Sequence, residues 1–380
     1  MPSTSSSRQD LGWRELREPA PLDRAALSAA LALPPRSVSI IINNFNYERY
    51  LHQAIASALA QTHPAQVVVV DDASTDGSRR VIEAFGEQIV AVLKTSNGGQ
   101  ASAMNEGVSV ATGDIVIFLD SDDYLAPDAV ETLLAVWRPG TAMAQYPLTL
   151  IDAEGRPIGV YPDPPSGLPD GNVLSQLLST GSFVTTVTTG LAFARPALSM
   201  VMPIPTQPFR YAADGYLTRA VAFHGSVQRI DAQLGCYRKH GRNDADVCSA
   251  PGGLAQGFRK KITHADNEFR TTRECALKNG YTVPPNLGDG DPDYLGYRLF
   301  SLLLDPAAHP IAGDRRLSLL VRYVAARARS TWRLQRKLLA IGLATAASLG
   351  TGDRSQMFVR WLHDPQSRPS WFPSRASGRV

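Results

Sequence analysis

The sequence predicts an α/β fold: a doubly wound, mostly parallel sheet with flanking helices, followed by a mainly helical C-terminal extension. Three observations predict it. Between residues 38 and 123, short apolar runs alternate four times with segments of helical periodicity. Most of these runs lead into Asn-, Asp- or Gly-rich segments, and the last third of the chain places apolar residues at helical spacing. Such alternation is typical of βαβ units with right-handed crossovers.

The first three predicted strands are short apolar runs, as expected for strands that are buried on both faces of a parallel sheet. They are residues 38–42, 67–70 and 89–93. After the first strand, Leu51 and Ile55 have the spacing of one apolar helix face. Because parallel strands end at one edge of the sheet, where α/β proteins bind ligands, we expect the polar residues after these strands to lie together.

The fourth predicted strand, 115–119, leads directly into three carboxylates, Asp120, Asp122 and Asp123. Like charges this close repel unless a positive charge lies among them. A divalent cation supplies that charge, since hard cations such as Mg²⁺ bind carboxylate and phosphate oxygens together. The alternative is an acidic turn in which Asp122 or Asp123 caps the next helix. This strand alone leaves both interpretations open.

The composition indicates a globular protein that does not bind nucleic acid. The 380 residues carry a formal net charge of +3, with 44% hydrophobic residues, and that charge is too small to favour a polyanionic partner. The three cysteines lack metal-ligand or redox spacing, and the first residues lack an apolar signal segment. The longest apolar run, 338–349, is shorter than the roughly 20 residues that a membrane span needs. We therefore expect a cytoplasmic protein.

Three segments of the chain differ in character. Residues 1–36 are rich in Ser, Arg and Pro and predict a mobile or loosely docked N-terminal arm, with one short helix at 22–33. Residues 37–245 contain the alternating strands and helices, and residues 246–380 predict the helical extension. The chain is long enough for one large α/β domain with such an extension.

Two nucleotide-binding classes are excluded by missing motifs. A dinucleotide-binding domain places G-x-G-x-x-G directly after its first strand, whereas residues 43–47 here are Asn-Asn-Phe-Asn-Tyr. The loop G-x-x-x-x-G-K-[ST] of the P-loop NTPases is also missing from the sequence. NAD, FAD and P-loop chemistry are therefore not expected.

The polar segments at the strand ends occur in an order and spacing that resembles the family 2 glycosyltransferases of the GT-A fold. The resemblance covers residues 37–245. It implies a GT-A-like sheet, an inverting nucleotide-sugar-dependent enzyme, and Mg²⁺ or Mn²⁺ as cofactor. The segments that carry it are Asn43–Asn46, Asp71-Asp72 with Asp76-Gly77-Ser78, Asn97-Gly98-Gly99 with Asn105, and Asp120–Asp123.

The resemblance also implies roles for single residues. A UDP-sugar is the expected donor, and the acceptor is a glycan, a lipid-linked molecule or a protein. Carboxylates accept hydrogen bonds from a pyrimidine N–H, glycines allow close backbone approach, and arginine suits a diphosphate. One of Asp71 and Asp76 is expected to be structural. The residues expected to bind the nucleotide sugar are Asn43, Asn46, Asp72, Gly98, Gly99, Asn105, Asp120, Asp122 and Arg238, and those expected to bind the metal are Asp122, Asp123 and His240.

The expected catalytic base is Asp214. In the resembled family this place commonly has Glu-Asp, with the Asp as general base, whereas here Ala213 precedes Asp214. The departure leaves the base in place but puts a helper role of its neighbour in doubt. The segment Tyr237-Arg238-x-His240-x-x-Asn243 matches a further motif of the family. A purely structural alternative makes Asp214 a helix cap.

The C-terminal extension carries an unusual basic segment. Residues 315–337 contain eight Arg or Lys residues and no acid, with apolar residues between them at helical spacing. A basic amphipathic helix at 315–350 predicts contact with an anionic membrane surface, and the alternative is a helix packed on the main domain. Family members that polymerise sugars carry Q-x-x-R-W, but Gln356 and Arg360-Trp361 are one residue too far apart. We therefore expect a non-processive enzyme.

Two other functions remain as alternatives. A sugar nucleotidyltransferase also binds nucleotide and Mg²⁺ on an α/β sheet, but usually has a Gly-rich loop and a basic residue after its first strand, which residues 43–47 lack. A non-catalytic nucleotide-sugar binding protein would not need Asp122, Asp214 and His240 together.

Overall fold

The computed structural model describes residues 23–241, 253–330, 332–364, 367–369 and 372. Its strands are β1 Val38–Asn44, β2 Gln66–Asp71, β3 Val90–Leu93, β4 Ile115–Asp120, β5 Tyr124–Leu125, β6 Thr141–Gln145, β7 Leu148–Ile151, β8 Pro157–Tyr161, β9 Leu191–Ala194, β10 Ser226–Arg229 and β11 Gly235–Arg238. Its helices are α1 Arg24–Ala32, α2 Glu48–Leu59, α3 Ser78–Glu83, α4 Gln100–Val110, α5 Ala129–Val136, α6 Leu174–Thr180, α7 Arg195–Ser199, α8 Ala213–Val221, α9 Gly253–Lys278, α10 Pro292–Leu304, α11 Arg316–Arg329, α12 Leu334–Leu349 and α13 Asp353–His363.

The main sheet has seven strands in the order β10-β6-β9-β4-β1-β2-β3. β1 pairs in parallel with β2 and β4, β2 with β3, and β6 with β10. Only β9 runs antiparallel to its neighbours, β4 and β6. A second sheet has the order β5-β11-β7-β8. The predicted α/β fold, with a mostly parallel sheet, flanking helices and a helical C-terminal region, is confirmed.

The main sheet is buried on both faces because alternate residues of its strands enter different cores. In β1, Ile40 and Ile42 pack with Leu51 and Ile55 of α2, whereas Ile41 belongs to the core on the other face. This arrangement explains why the central strands are continuous apolar runs in the sequence. It also fixes the register in which the polar ends of β1, β2 and β4 meet.

The C-terminal extension is a separate helical core that packs on the main domain. Phe258 of α9, Leu299 of α10, Tyr323 of α11 and Ala344 of α12 share one apolar cluster, and α9 also packs along α8. None of the helices in the described ranges is long and apolar enough to cross a membrane. The predicted domain boundary at residue 245, and Asn243, lie outside the described residues.

The basic segment predicted as one helix forms two. α11 ends at Arg329 and α12 begins at Leu334. In the connection, the Trp332 ring lies between the guanidinium groups of Arg327 and Arg336, whose central carbons are 3.9 and 4.0 Å from the ring centroid. Two cation–π contacts on one ring stabilise the turn between the helices.

Candidate active site

A cavity of about 540 Å³ opens at the carboxyl ends of β1, β2 and β4. Its position agrees with the rule that α/β sheets bind ligands at this edge. Half of the site residues predicted from the sequence line this cavity, and the other half do not. The predicted residues that line the cavity are Asn43, Asp72, Gly99, Asp120, Asp122 and Asp214. Those that do not line it are Asn46, Gly98, Asn105, Asp123, Arg238 and His240.

Asn43 lines the cavity, and neither polar atom of its side chain is used in a hydrogen bond within the part of the chain that the structure describes. It pairs in register with Val70 on β2 and with Asp120 on β4. Its Oδ1 and Nδ2 atoms are buried and have no hydrogen-bond partner among the described residues. A buried amide without partners costs free energy, so this side chain is suited to a ligand that both donates and accepts.

Asp72 organises the loop that follows β3. Its carboxylate accepts hydrogen bonds from the amides of Gly98 (3.0 Å) and Gly99 (2.6 Å) and pairs with the ammonium group of Lys94. Gly99 has a φ of +83°, and a Cβ there would lie 2.5 Å from the carbonyl oxygen of Arg210, so glycine is required. The charge of Asp72 is therefore already neutralised, and its carboxylate shapes the cavity wall.

The side chains of Asn46 and Asn105 form hydrogen bonds with other segments of the protein. The Asn46 Oδ1 accepts from the Thr75 amide at 2.7 Å and holds the loop after β2. The Asn105 amide group exchanges two hydrogen bonds with the backbone of Ile204, at 2.8 and 2.9 Å. Since neither side chain reaches the cavity, we do not include them in the proposed ligand set.

The three carboxylates after β4 have different surroundings. Asp120 faces the cavity, and burial, together with the charges of Asp122 and Asp214, raises its pKa well above the usual range. The Asp122 Oδ2 lies 2.8 Å from the His240 Nε2. The Asp123 carboxylate accepts from the Thr189 hydroxyl at 2.6 Å and from the Arg238 amide at 2.8 Å. Asp123 therefore anchors the acidic turn to Thr189 and Arg238 and does not line the cavity.

Arg238 supports the same turn instead of facing the cavity. Only 2% of the residue is exposed. Its guanidinium group donates to the Asp122 carbonyl at 2.7 Å and to the Gln53 Oε1 at 2.6 Å, and it lies over the Tyr50 ring. His240 stacks on that ring, with centroids 5.4 Å apart. The motif Tyr-Arg-x-His therefore holds Asp122 and His240 in place, and the diphosphate contact of Arg238 stays a prediction.

A divalent metal fits part of the predicted ligand set. Within the described residues, no group of three or more His, Cys, Asp and Glu side chains is arranged to bind a metal ion. Asp122 and His240 nevertheless bring a carboxylate oxygen and an imidazole nitrogen within 2.8 Å of each other. Mg²⁺ is commonly bound by one or two carboxylates plus phosphate oxygens of a substrate. This donor pair is therefore compatible with a metal whose shell a diphosphate completes.

Asp214 lies in the first turn of α8, with its side chain in the cavity. The residue before the helix is Ala212, in the left-handed region at φ 54°, so Asp214 is not the N-cap residue of α8. Burial raises the pKa of Asp214, and the charges of Arg219 and Lys261 act in the opposite direction. A buried carboxylate with a raised pKa is a stronger base than an exposed one, as general base catalysis requires.

The C-terminal extension contributes cavity residues that the sequence motifs did not predict. Lys261, His264 and Glu268 of α9 line the cavity, as does Tyr297 of α10. The three α9 residues have the spacing i, i+3 and i+7 of one helix face. The same spacing can be found in the sequence of α9. Charged residues occur on every side of this helix, however, so the spacing alone does not show which side faces a ligand.

Comparison with known proteins identifies the family that part of the chain matches. The family described as Glycosyl transferase family 2 matches residues 39–189. The chain is 37% identical over 213 residues to the uncharacterized glycosyltransferase alr2836 of Nostoc sp. (strain PCC 7120), covering 54% of this chain and 66% of the relative. It is 36% identical over 99 residues to glycosyltransferase GlyA of Streptococcus pneumoniae serotype 4, covering 25% of this chain and 14% of that protein. The matches thus span less than two thirds of these relatives.

A solved structure with a broader overlap is that of S. aureus TarS 1-349 in complex with UDP. It superposes with a TM-score of 0.44 at 15% identity, covering 88% of this chain and 93% of that one. The stronger result is the sequence match, because residues 39–189 include the ends of β1, β2 and β4 that build the cavity. The resemblance deduced from the motifs is confirmed: residues 39–189 of the chain match the family 2 glycosyltransferases.

Proposed function

We propose that the chain transfers a sugar from a nucleotide-diphosphate sugar to an acceptor hydroxyl, with inversion, in one displacement. The observation that carries the proposal is that a single cavity contains the carboxylates at the end of β4 and the buried carboxylate of Asp214. The bond between the anomeric carbon and the diphosphate oxygen breaks as the bond to the acceptor oxygen forms. The acceptor proton moves to Asp214, and the nucleoside diphosphate leaves.

The donor is proposed to bind along the strand ends. The unpaired amide of Asn43 is suited to a base edge that both donates and accepts, as uracil does, which supports a UDP-sugar as donor. Asp120, whose pKa is raised by burial, is suited to a ribose hydroxyl. Asp122 and His240 would hold Mg²⁺ or Mn²⁺, which supplies positive charge for the leaving diphosphate.

The acceptor is proposed to enter from the side of α8 and α9. Asp214 is the base because it is buried, faces the cavity and has a raised pKa. Geometry comes first for such an assignment, and pKa second. The absence of a polymerase-type Q-x-x-R-W sequence supports a single transfer to a glycan, lipid-linked or protein hydroxyl.

A donor screen tests this function. The purified chain is incubated with a panel of nucleotide sugars, with and without Mn²⁺ or Mg²⁺, and release of nucleoside diphosphate is measured. We expect release from one donor class, and we expect it to require the metal. A sugar nucleotidyltransferase would instead make pyrophosphate from a nucleoside triphosphate and a sugar phosphate, and a non-catalytic binding protein would bind donors without consuming them.

We further propose that the 315–350 segment contacts the inner, anionic face of the cytoplasmic membrane. α11 buries Leu319 and Tyr323 against the protein, so it packs on the main body. Its other side is apolar as well, with Leu317 74% and Val321 60% exposed. Basic side chains flank this surface, and apolar area next to positive charge is the chemistry that binds anionic lipid. Other exposed residues of the 315–350 segment are Leu334, Leu338, Arg315, Arg316, Arg329 and Arg333.

Vesicle co-sedimentation tests the membrane proposal. The protein should sediment with vesicles containing anionic lipid, and not with purely zwitterionic ones, and added salt should release part of it. Val321→Glu should weaken binding, whereas Val90→Glu, at an exposed apolar position of the edge strand β3, should leave it unchanged. Absence of binding to anionic vesicles at low salt would mean that α11 and α12 serve packing alone.

A further inference from the structure

A second acidic side chain lies against the residue that follows Asp214, and it comes from the C-terminal extension. Glu268 of α9 lines the cavity, and its side chain is only 19% exposed. A Cβ atom added to Gly215 would lie 2.1 Å from the Glu268 Oε1. The carboxylate therefore rests against the backbone of the residue that follows Asp214, and only glycine at position 215 leaves room for it.

Glu268 has a defined partner. Its Oε2 lies 2.5 Å from the Nη2 of Arg219, whose side chain is 11% exposed. The Nη1 of the same guanidinium group donates to the Gly215 carbonyl at 3.2 Å. Arg219 therefore links Gly215, in the first turn of α8, to Glu268 on α9. Gly215 is the residue that directly follows Asp214.

We propose that Glu268 is a positioning residue for Asp214: it holds Arg219 and offsets the arginine charge, so that Asp214 keeps the strength of a base. The inference rests on the proposed function, since it assumes that Asp214 accepts the acceptor proton. It also accounts for Ala213 at the place where the resembled family has a glutamate. In this chain, residue 213 has no carboxylate, and the folding of α9 against α8 brings the carboxylate of Glu268 to this region instead.

The charges next to Asp214 set the direction in which its pKa changes. Burial raises the pKa of Asp214, and the positive charge of Arg219 lowers it. Burial and the charge of Asp214 raise the pKa of Glu268, whereas Arg219 lowers it, and the ionised carboxylate of Glu268 offsets part of the arginine charge. Removing that carboxylate leaves Arg219 uncompensated, so we expect the pKa of Asp214 to fall, and a weaker base removes a proton more slowly. Arg219 acts on Asp214 from behind the cavity wall, and the charged or titratable residues that line the cavity include Lys261, His264, Glu268, Asp120, Asp122, Tyr161, Tyr211 and Tyr297.

The test is a double-mutant cycle read by the pH profile of kcat/KM. In Glu268→Gln, the acid limb should shift to lower pH by about one unit, since an opposite charge nearby shifts a carboxyl pKa by roughly 1–3 units. The plateau rate should fall several-fold. In the double variant Glu268→Gln with Arg219→Gln, the positive charge of residue 219 is also removed. The acid limb of the kcat/KM profile should therefore return to near its wild-type position. Glu268→Asp should keep most of the wild-type profile.

The controls separate this effect from simple damage. Glu274→Gln replaces an exposed glutamate of the same helix and should leave the profile unchanged. A purely structural role for Glu268 would make the losses of the two substitutions add, with no movement of the acid limb, and that outcome would overturn the inference. If Asp214→Asn itself retains activity, the proposed base is wrong. If Asp214→Asn is inactive while Glu268→Gln keeps the wild-type profile, only the inference on Glu268 fails.

Discussion

Replacing Asp214 with asparagine is expected to lower the rate of sugar transfer by at least about 100-fold, because general base catalysis contributes about 10²- to 10⁴-fold. The donor dissociation constant should change only a few-fold, since the donor is held at the ends of β1, β2 and β4. Transfer rate, donor affinity and melting temperature are measured on the same variant. As an acid in the first turn of α8, Asp214 contributes only about 0.3–1 kcal/mol through the helix dipole.

The pH dependence gives a second signature of the same residue. Asp214 must be deprotonated to accept a proton, and burial raises its pKa above the usual aspartate value. Transfer should therefore fall as the pH falls through this raised value, at a higher pH than for an exposed aspartate. Asp231→Asn, which replaces an exposed acid paired with Arg229, is the matched control. An Asp214→Asn variant that melts earlier but transfers sugar at the wild-type rate would rule out the base.

Asp122→Asn is expected to remove most of the metal-dependent binding of nucleoside diphosphate. The substitution takes away one of the two donors that approach each other at 2.8 Å, leaving His240 alone for the metal. The fold should remain, because Asp122 lies in a loop after β4 and its backbone carbonyl still accepts from Arg238. Calorimetric titration of nucleoside diphosphate with and without Mn²⁺ measures the effect.

The control for this experiment lies at the other end of the same strand. Asp114 precedes β4 and accepts hydrogen bonds from the Arg36 amide and the Ser37 hydroxyl, away from the cavity. Asp114→Asn should therefore leave metal-dependent binding unchanged. If Asp122→Asn binds nucleoside diphosphate as the wild type does, at every metal concentration, then Asp122 has no part in holding a metal.

The sheet and its ligand-binding edge could be predicted because both follow from local patterns. The run at 38–42 is buried on both faces as β1, and the strand at 115–119 does deliver Asp120 and Asp122 to the cavity. Continuous apolar runs carry this information within a few residues. The position of a strand end in a parallel sheet then follows from topology.

The contacts of single side chains could not be predicted in the same way. Asn105 is held by Ile204, and Arg238 donates to Gln53, so in each case the partner lies far away in the sequence. A motif match shows that a polar residue is present, but whether it faces a ligand or a backbone carbonyl depends on the packing of distant segments. The same reasoning explains why Arg238 supports the acidic turn instead of facing the cavity.

The contribution of α9 was missed for a related reason. Lys261, His264 and Glu268 lie beyond the segment that carries the family motifs, and only the docking of α9 along α8 brings them to the cavity. In the same region, the break between α11 and α12 depends on Trp332 and its two arginine neighbours. Helical periodicity continues through this sequence, so it gave no sign of the break.

The most direct measurement of the central claim is the anomeric configuration of the first product. With the donor identified by the screen, proton NMR follows the anomeric signal of the product as it forms, with an acceptor sugar or with water as the acceptor. A single displacement assisted by Asp214 predicts inversion, so that an α-linked donor gives a β product. A first product with retained configuration would contradict a single displacement and, with it, the role proposed for Asp214.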